Sequence, residues 1–162
     1  MFGLFKKSKE KNMILKSPVV GRCFDISEIP DEVFSSKMLG NGIGFESTEG
    51  VLYAPVDGEV LQLFPTKHAL ILKTKEGIEI LLHIGIDTVE MKGEGFEAFA
   101  KKGQQVKAGD KLLTFDNELI KAKVKSNLSV LILTENEIME SVEFKFGAVD
   151  KNNEVITIKL KK

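Results

Sequence analysis

The stretch KHALILKTKEGIEILLHI, residues 67–84, carries two short apolar runs on either side of Thr74-Lys75-Glu76-Gly77. Runs of this length, rich in isoleucine and leucine and broken by a glycine-containing turn, predict a β-hairpin. A turn centred between Lys75 and Glu76 sets His68 directly opposite His83, with their Cβ atoms about 5 Å apart. Alternation then gives the hairpin two unlike faces. Ala69, Ile71, Ile78, Ile80, Leu82 and Ile84 read as core, with Lys67 and Lys73 at the ends of that face. The other face carries His68, Leu70, Leu72, Glu79, Leu81 and His83, a half-apolar surface suited to docking.

Outward from the hairpin the pattern repeats. Val51–Ala54, Val60–Phe64, Lys111–Phe115 and Val155–Leu160 are strand-like runs. They are separated by Gly21, Gly40-Asn41-Gly42, Gly50, Pro55-Val56-Asp57-Gly58, Gly103 and Ala108-Gly109-Asp110. This spacing predicts an all-β fold, an antiparallel sandwich or barrel. Helical signals are brief, at Asp31–Met38, Gly95–Lys102 and Asn117–Lys123, and predict short turns without a helical layer. A faint echo between 52–60 and 120–128 (an aliphatic residue, alanine two later, valine four later, an aliphatic residue eight later) hints at two related halves.

Composition narrows the function. The chain has 162 residues, enough for one domain with an ordinary core. Lys and Arg total 23 against 24 Asp and Glu, so the basic excess expected of a nucleic-acid binder is absent. The single cysteine, Cys23, allows no internal disulfide and no CxxC metal or redox pair, and reads as a core residue. No apolar run approaches the ~18 residues of a membrane span. Residues 1–12, MFGLFKKSKEKN, lack a secretory h-region. They read as a flexible amphipathic tail, whose Phe2, Leu4 and Phe5 beside four lysines also suit peripheral contact with an anionic membrane. The domain proper then spans 13–162, in a cytoplasmic protein.

Two adjacent imidazoles have definite chemical uses. One can attack phosphorus while the other donates a hydrogen bond to the transferred group. They can also bind a metal, but zinc needs three or four protein ligands, and no third stands at motif spacing. A biotinyl or lipoyl carrier needs a lysine at a hairpin tip, typically beside methionine, whereas Lys75 is flanked by Thr74 and Glu76. A zinc peptidase needs a third ligand and a general base, and neither is found.

The segment GIEILLHIGIDTVEMKGEGF, residues 77–96, resembles the active-site signature of the glucose-type IIA components of the bacterial phosphoenolpyruvate-dependent sugar phosphotransferase system. FPTKHA (64–69), APVDG (54–58), VKAGD (106–110), IPDEVF (29–34) and KMLG (37–40) resemble further landmarks of that family. The resemblance implies an antiparallel β-sandwich of the duplicated hybrid motif type, with two close histidines in a shallow apolar depression. It implies that His83 takes a phosphoryl group from the histidine-containing phosphocarrier protein and passes it to the IIB domain of a sugar permease. His68 is then the residue that hydrogen-bonds the phosphoryl group, and Thr66 the one that orients His68. Asp31 and Asp87 match acidic residues at the docking rim, suited to an arginine of the phosphocarrier. Val33, Phe34, Met38, Leu39, Phe64, Leu81 and Val89 match the apolar docking ring. No cofactor is required; zinc on His68 and His83 is implied only where a partner carboxylate completes the site. Relatives also bind permeases and metabolic enzymes, so a purely regulatory binding module is the alternative. Leu81 and Ile84 stand where some relatives have phenylalanine, and Pro65 and Lys67 where some have an acidic and an amide residue.

Overall fold

The computed structural model describes residues 11–161. The described residues form fourteen strands and very little helix. In chain order β1 is Lys11–Lys16, β2 Gly21–Asp25, β3 Asn41–Ser47, β4 Val51–Tyr53, β5 Gly58–Leu63, β6 Ala69–Lys73 and β7 Glu79–His83. There follow β8 Phe96–Ala98, β9 Gln105–Val106, β10 Lys111–Phe115, β11 Ser129–Leu133, β12 Met139–Phe144, β13 Gly147–Val149 and β14 Glu154–Leu160. Helix α1 is the single turn Glu32–Ser35 and α2 is Asn117–Lys123; Ile26–Glu28 and Thr88–Met91 are 3-10 turns. Most residues 1–12 read as a tail lie outside the described residues, but Lys11 and Asn12 open β1, paired with Leu160 and Lys159.

An eight-stranded antiparallel sheet runs in the order β13-β2-β3-β11-β7-β6-β5-β9. Two three-stranded sheets, β1-β14-β12 and β4-β10-β8, complete the sandwich. Inner side chains from all three sheets meet in one core, including Leu15, Phe45, Leu52, Leu72, Leu82, Leu113, Leu131 and Ile158. Cys23 belongs to it, and burial pushes its thiol up to about 11. The large sheet has a second apolar patch on its outer face. There Phe24, Ile26, Ile29, Phe34, Ile86, Val130 and Ile132 cluster, with Leu81 and Leu128 against them. Among the described residues no helix is long and apolar enough to cross a membrane.

The hairpin register differs from the sequence reading by one residue. Ala69 pairs with His83 and Leu70 with Leu82, so His68 and His83 are not opposite one another in the ladder. The cause is loop length: Thr74 N–H donates to the Ile78 carbonyl at 2.9 Å, leaving the three-residue loop Lys75-Glu76-Gly77. Gly77 takes φ +92, the left-handed third position that such loops favour. Leu70 and Leu72 consequently face the core, and Ala69 and Ile71 the other side, the reverse of the expectation for β6. The faces of β7 are as expected, with Ile80 and Leu82 inward.

Other local readings are corrected too. Gly95–Lys102 is not helical: Phe96–Ala98 joins β10 as a ladder, since left-handed Gly95 and Gly103 bracket a segment too short to nucleate a helix. Asp31–Met38 contracts to one turn, capped by Asp31 and ended where Lys37 turns left-handed at φ +65. The echo of 52–60 in 120–128 is not a structural repeat, because Leu52 lies on β4 and Ile120 on α2.

Candidate functional site

β7 ends at His83, whose side chain lies on the outer face beside Val130 of the neighbouring β11. His68 sits one residue before β6, after the chain passes through Lys67 at a left-handed φ of +59. In a regular strand its ring would share the inward side with Leu70. The left-handed step breaks that alternation, and the imidazole meets His83 instead. Their ring centroids are 4.9 Å apart and nearly perpendicular, at 81°. Sequence reasoning thus brought the right pair together through the wrong ladder.

Each ring is held at Nδ1. His83 Nδ1 lies 3.0 Å from the Gly85 carbonyl oxygen. A carbonyl only accepts, so the proton sits on Nδ1 and the Nε2 lone pair is free. His68 Nδ1 bonds the Thr66 hydroxyl. With that hydroxyl donating, His68 carries its proton on Nε2 and is a hydrogen-bond donor there. Phe34 packs on His83 at 5.1 Å between centroids, and Phe64 meets His68 edge-on at 5.6 Å.

The setting favours neutral imidazoles. Burial, reinforced by the nearby His68, pushes the pKa of His83 down to about 4. Its bond to Gly85 and the charge of Asp31 pull upward without cancelling that effect. Burial also lowers His68, which is 4% exposed. Both rings are therefore uncharged near neutral pH, which leaves each with one unprotonated ring nitrogen.

The expected docking residues fall into two sets. Val33, Met38, Leu39 and Val89 are exposed, with Met38 at 72%. They project from α1, the turn after it, and the 3-10 turn that follows His83. Phe34 is buried, and Leu81 and Phe64 are half-buried; Phe34 and Phe64 pack directly on the two imidazoles. Asp31 caps α1, its carboxylate accepting the Val33 N–H at 2.9 Å, and still acts on His83 through its charge. Asp87 is exposed and left-handed at φ +65, with no side-chain capping bond. Among the described residues no group of three His, Cys, Asp or Glu assembles to hold a metal, so His68 and His83 are two candidate ligands short of a full set.

Sequence reasoning did not assign a role to the Gly85 carbonyl. A backbone acceptor has no side-chain signature.

Comparison with known proteins agrees with this architecture. The family model described as phosphoenolpyruvate-dependent sugar phosphotransferase system, EIIA 1, matches residues 13–139. The chain is similar to the PTS system glucose-specific EIIA component of Bacillus cereus, 45% identical over 163 residues, covering 99% of this chain and 98% of that protein. The protein of the same description from Staphylococcus epidermidis is 45% identical over 141 residues, 86% of this chain and 85% of its own. The solved structure of glucose permease IIA from Mycoplasma capricolum superposes with a TM-score of 0.87 at 41% identity, covering 91% of this chain and 96% of that one. Sequence and fold agree over nearly the whole length, and the chain belongs to the IIA family of the phosphoenolpyruvate-dependent sugar phosphotransferase system, a family of phosphotransferase components in sugar transport.

Proposed function

We propose that the chain is a cytoplasmic phosphoryl carrier. His83 takes a phosphoryl group from the histidine-containing phosphocarrier protein and hands it to the IIB domain of a glucose-type sugar permease. The observation that carries this reading is the bond from His83 Nδ1 to the Gly85 carbonyl, because it leaves Nε2 unprotonated beside a second imidazole. The Nε2 lone pair forms a bond to phosphorus as the donor's P–N bond breaks, and the electron pair of that bond returns to the donor ring. The proton stays on Nδ1, donated in its hydrogen bond to the Gly85 carbonyl. His68, oriented by Thr66, donates from Nε2 to a phosphoryl oxygen; positioning and charge stabilisation supply most of the catalysis in such transfers.

Asp31 and Asp87 are the carboxylates for an arginine of the phosphocarrier, and Val33, Met38, Leu39 and Val89 form the apolar seat around the depression. Such rim charges favour quick, reversible association. The same exposed rim supports a second, regulatory use with permeases or metabolic enzymes, which a bound phosphoryl group of charge about −2 would oppose. Zinc would be held by His68 and His83 only with a partner's carboxylate, acting there as a structural bridge.

Intact mass after incubation with phosphoenolpyruvate, Enzyme I and the phosphocarrier tests the reading. One acid-labile phosphoryl group is expected on the wild-type chain and none on His83→Ala. His68→Gln is expected to accept the group yet pass it on poorly to a IIB domain. Equal labelling of His83→Ala and wild type would overturn the assignment. Labelled protein that never discharges to a IIB domain would leave the regulatory use alone.

A further inference from the structure

Two buried hydroxyls stand behind the imidazoles and take no part in the transfer just described: Thr88, fully buried, and Ser129, 2% exposed. Both bond to the same peptide. The Thr88 hydroxyl donates to the Ile84 carbonyl, and the Ser129 hydroxyl oxygen accepts the Gly85 N–H at 3.0 Å. Ser129 is itself oriented by donating to the Asn127 carbonyl at 3.1 Å, which turns its lone pairs toward Gly85. The next peptide is held as well. The Ile86 N–H donates to the Ser126 carbonyl at 2.8 Å, while the Gly85 carbonyl takes the His83 Nδ1 proton.

Gly85 explains why such clamping is needed. Its φ is +70, and a Cβ there would lie 2.5 Å from Thr88 Cγ2, so the position requires glycine. Glycine, however, adopts many backbone conformations at little cost, and its peptides turn readily unless held. Rotation about the Gly85 N–Cα bond, which the two hydroxyls oppose by fixing the Ile84–Gly85 peptide, would withdraw the carbonyl from Nδ1. The imidazole proton could then move to Nε2, leaving no lone pair facing the depression.

We infer that Ser129 and Thr88 are positioning residues that fix the Ile84–Gly85 peptide, so keep the Gly85 carbonyl against His83, and thereby help select the ring tautomer with a free Nε2. The inference rests on His83 being the phosphoryl acceptor, and it gives a part in the choice of nitrogen to two side chains whose hydrogen bonds go to the backbone. A merely structural pair would satisfy buried backbone groups and contribute stability. Removing such a pair would lower the melting temperature and leave the ring tautomer unchanged.

The experiment therefore reads the ring. Long-range proton–nitrogen correlation spectra of the 15N-labelled full chain, at a pH where His83 is neutral, report its tautomer in wild type, Ser129→Ala, Thr88→Val and Thr88→Ser. Phosphoryl acceptance is timed in parallel. Wild type and Thr88→Ser are expected to hold the proton on Nδ1. Ser129→Ala and Thr88→Val are expected to populate the Nε2–H form and accept phosphate about 10–100-fold more slowly, the usual effect of losing a group that orients a histidine. KM for the phosphocarrier should stay as in wild type. Folded Ser129→Ala and Thr88→Val proteins with the wild-type tautomer would overturn the inference. Should Ser129→Ala not fold, Thr88→Val, which keeps the volume of threonine and removes only its hydroxyl, decides alone against Thr88→Ser, which keeps the hydroxyl. A wild-type chain that takes no phosphate defeats the carrier reading, while the tautomer comparison still judges the clamp.

Discussion

Burial lowers the proton affinity of His83 far enough to separate its titration from that of an ordinary imidazole, and this has two measurable consequences. Protonation occupies Nε2, so phosphoryl acceptance should hold down to about pH 4, where a solvated histidine would already fail near 6.5. The stability consequence has the same origin. Between about 4 and 6.5 the unfolded chain binds a proton at this residue that the folded chain refuses. Stability is thus fully present above the upper value and is lost as pH falls through the lower one. His68, lowered by burial, adds in the same direction. An NMR titration of both rings, set beside urea unfolding at several pH values, checks both; a His83 midpoint near 6.5 would contradict them. The identities of the two histidines, and of Thr66 beside His68, were legible in the sequence. The tautomer was not, because its determinant is a backbone oxygen.

The β6–β7 hairpin shows how a correct element can carry a wrong register. Apolar runs and a glycine announced it, but the turn was one residue longer than supposed, and that reverses which side of β6 is buried. Gly77 is the informative residue. It stands at φ +92 with no atom within 4 Å of where a Cβ would be, so its backbone conformation alone requires glycine. Gly77→Ala should cost about 1–2 kcal/mol, the penalty of a left-handed L-residue, and leave phosphoryl acceptance unchanged. Denaturant unfolding measures the first and intact mass the second. Helix α2 was legible to its ends because local signals agree there: Asp116 caps it and Lys121 and Lys123 fill its last turn. Gly95–Lys102 was misread because the edge of β10, which recruits it as β8, is remote in sequence.

Because one core joins all three sheets, loosening any of them should loosen the whole. Leu82, fully buried on β7, touches that core, and Leu82→Ala should cost about 2–5 kcal/mol. Unfolding should nonetheless stay a single transition, with fluorescence-independent probes such as circular dichroism and hydrogen exchange giving one midpoint. Separate midpoints would mean that the small sheets melt independently. The all-β class was legible from turn spacing, whereas the pairing of β1 with β14, across almost the full chain, left no local trace. That pairing has a practical meaning. Lys161 bonds the Ile138 carbonyl, and Asn136 bonds the Gly77 carbonyl, so the terminal strands finish beside the hairpin tip. His83 stands at the other end of β7, roughly 15–20 Å away at the usual strand rise. A leash, an affinity tag or a fused neighbour attached at either terminal strand would therefore pull from behind, leaving the imidazole face unobstructed.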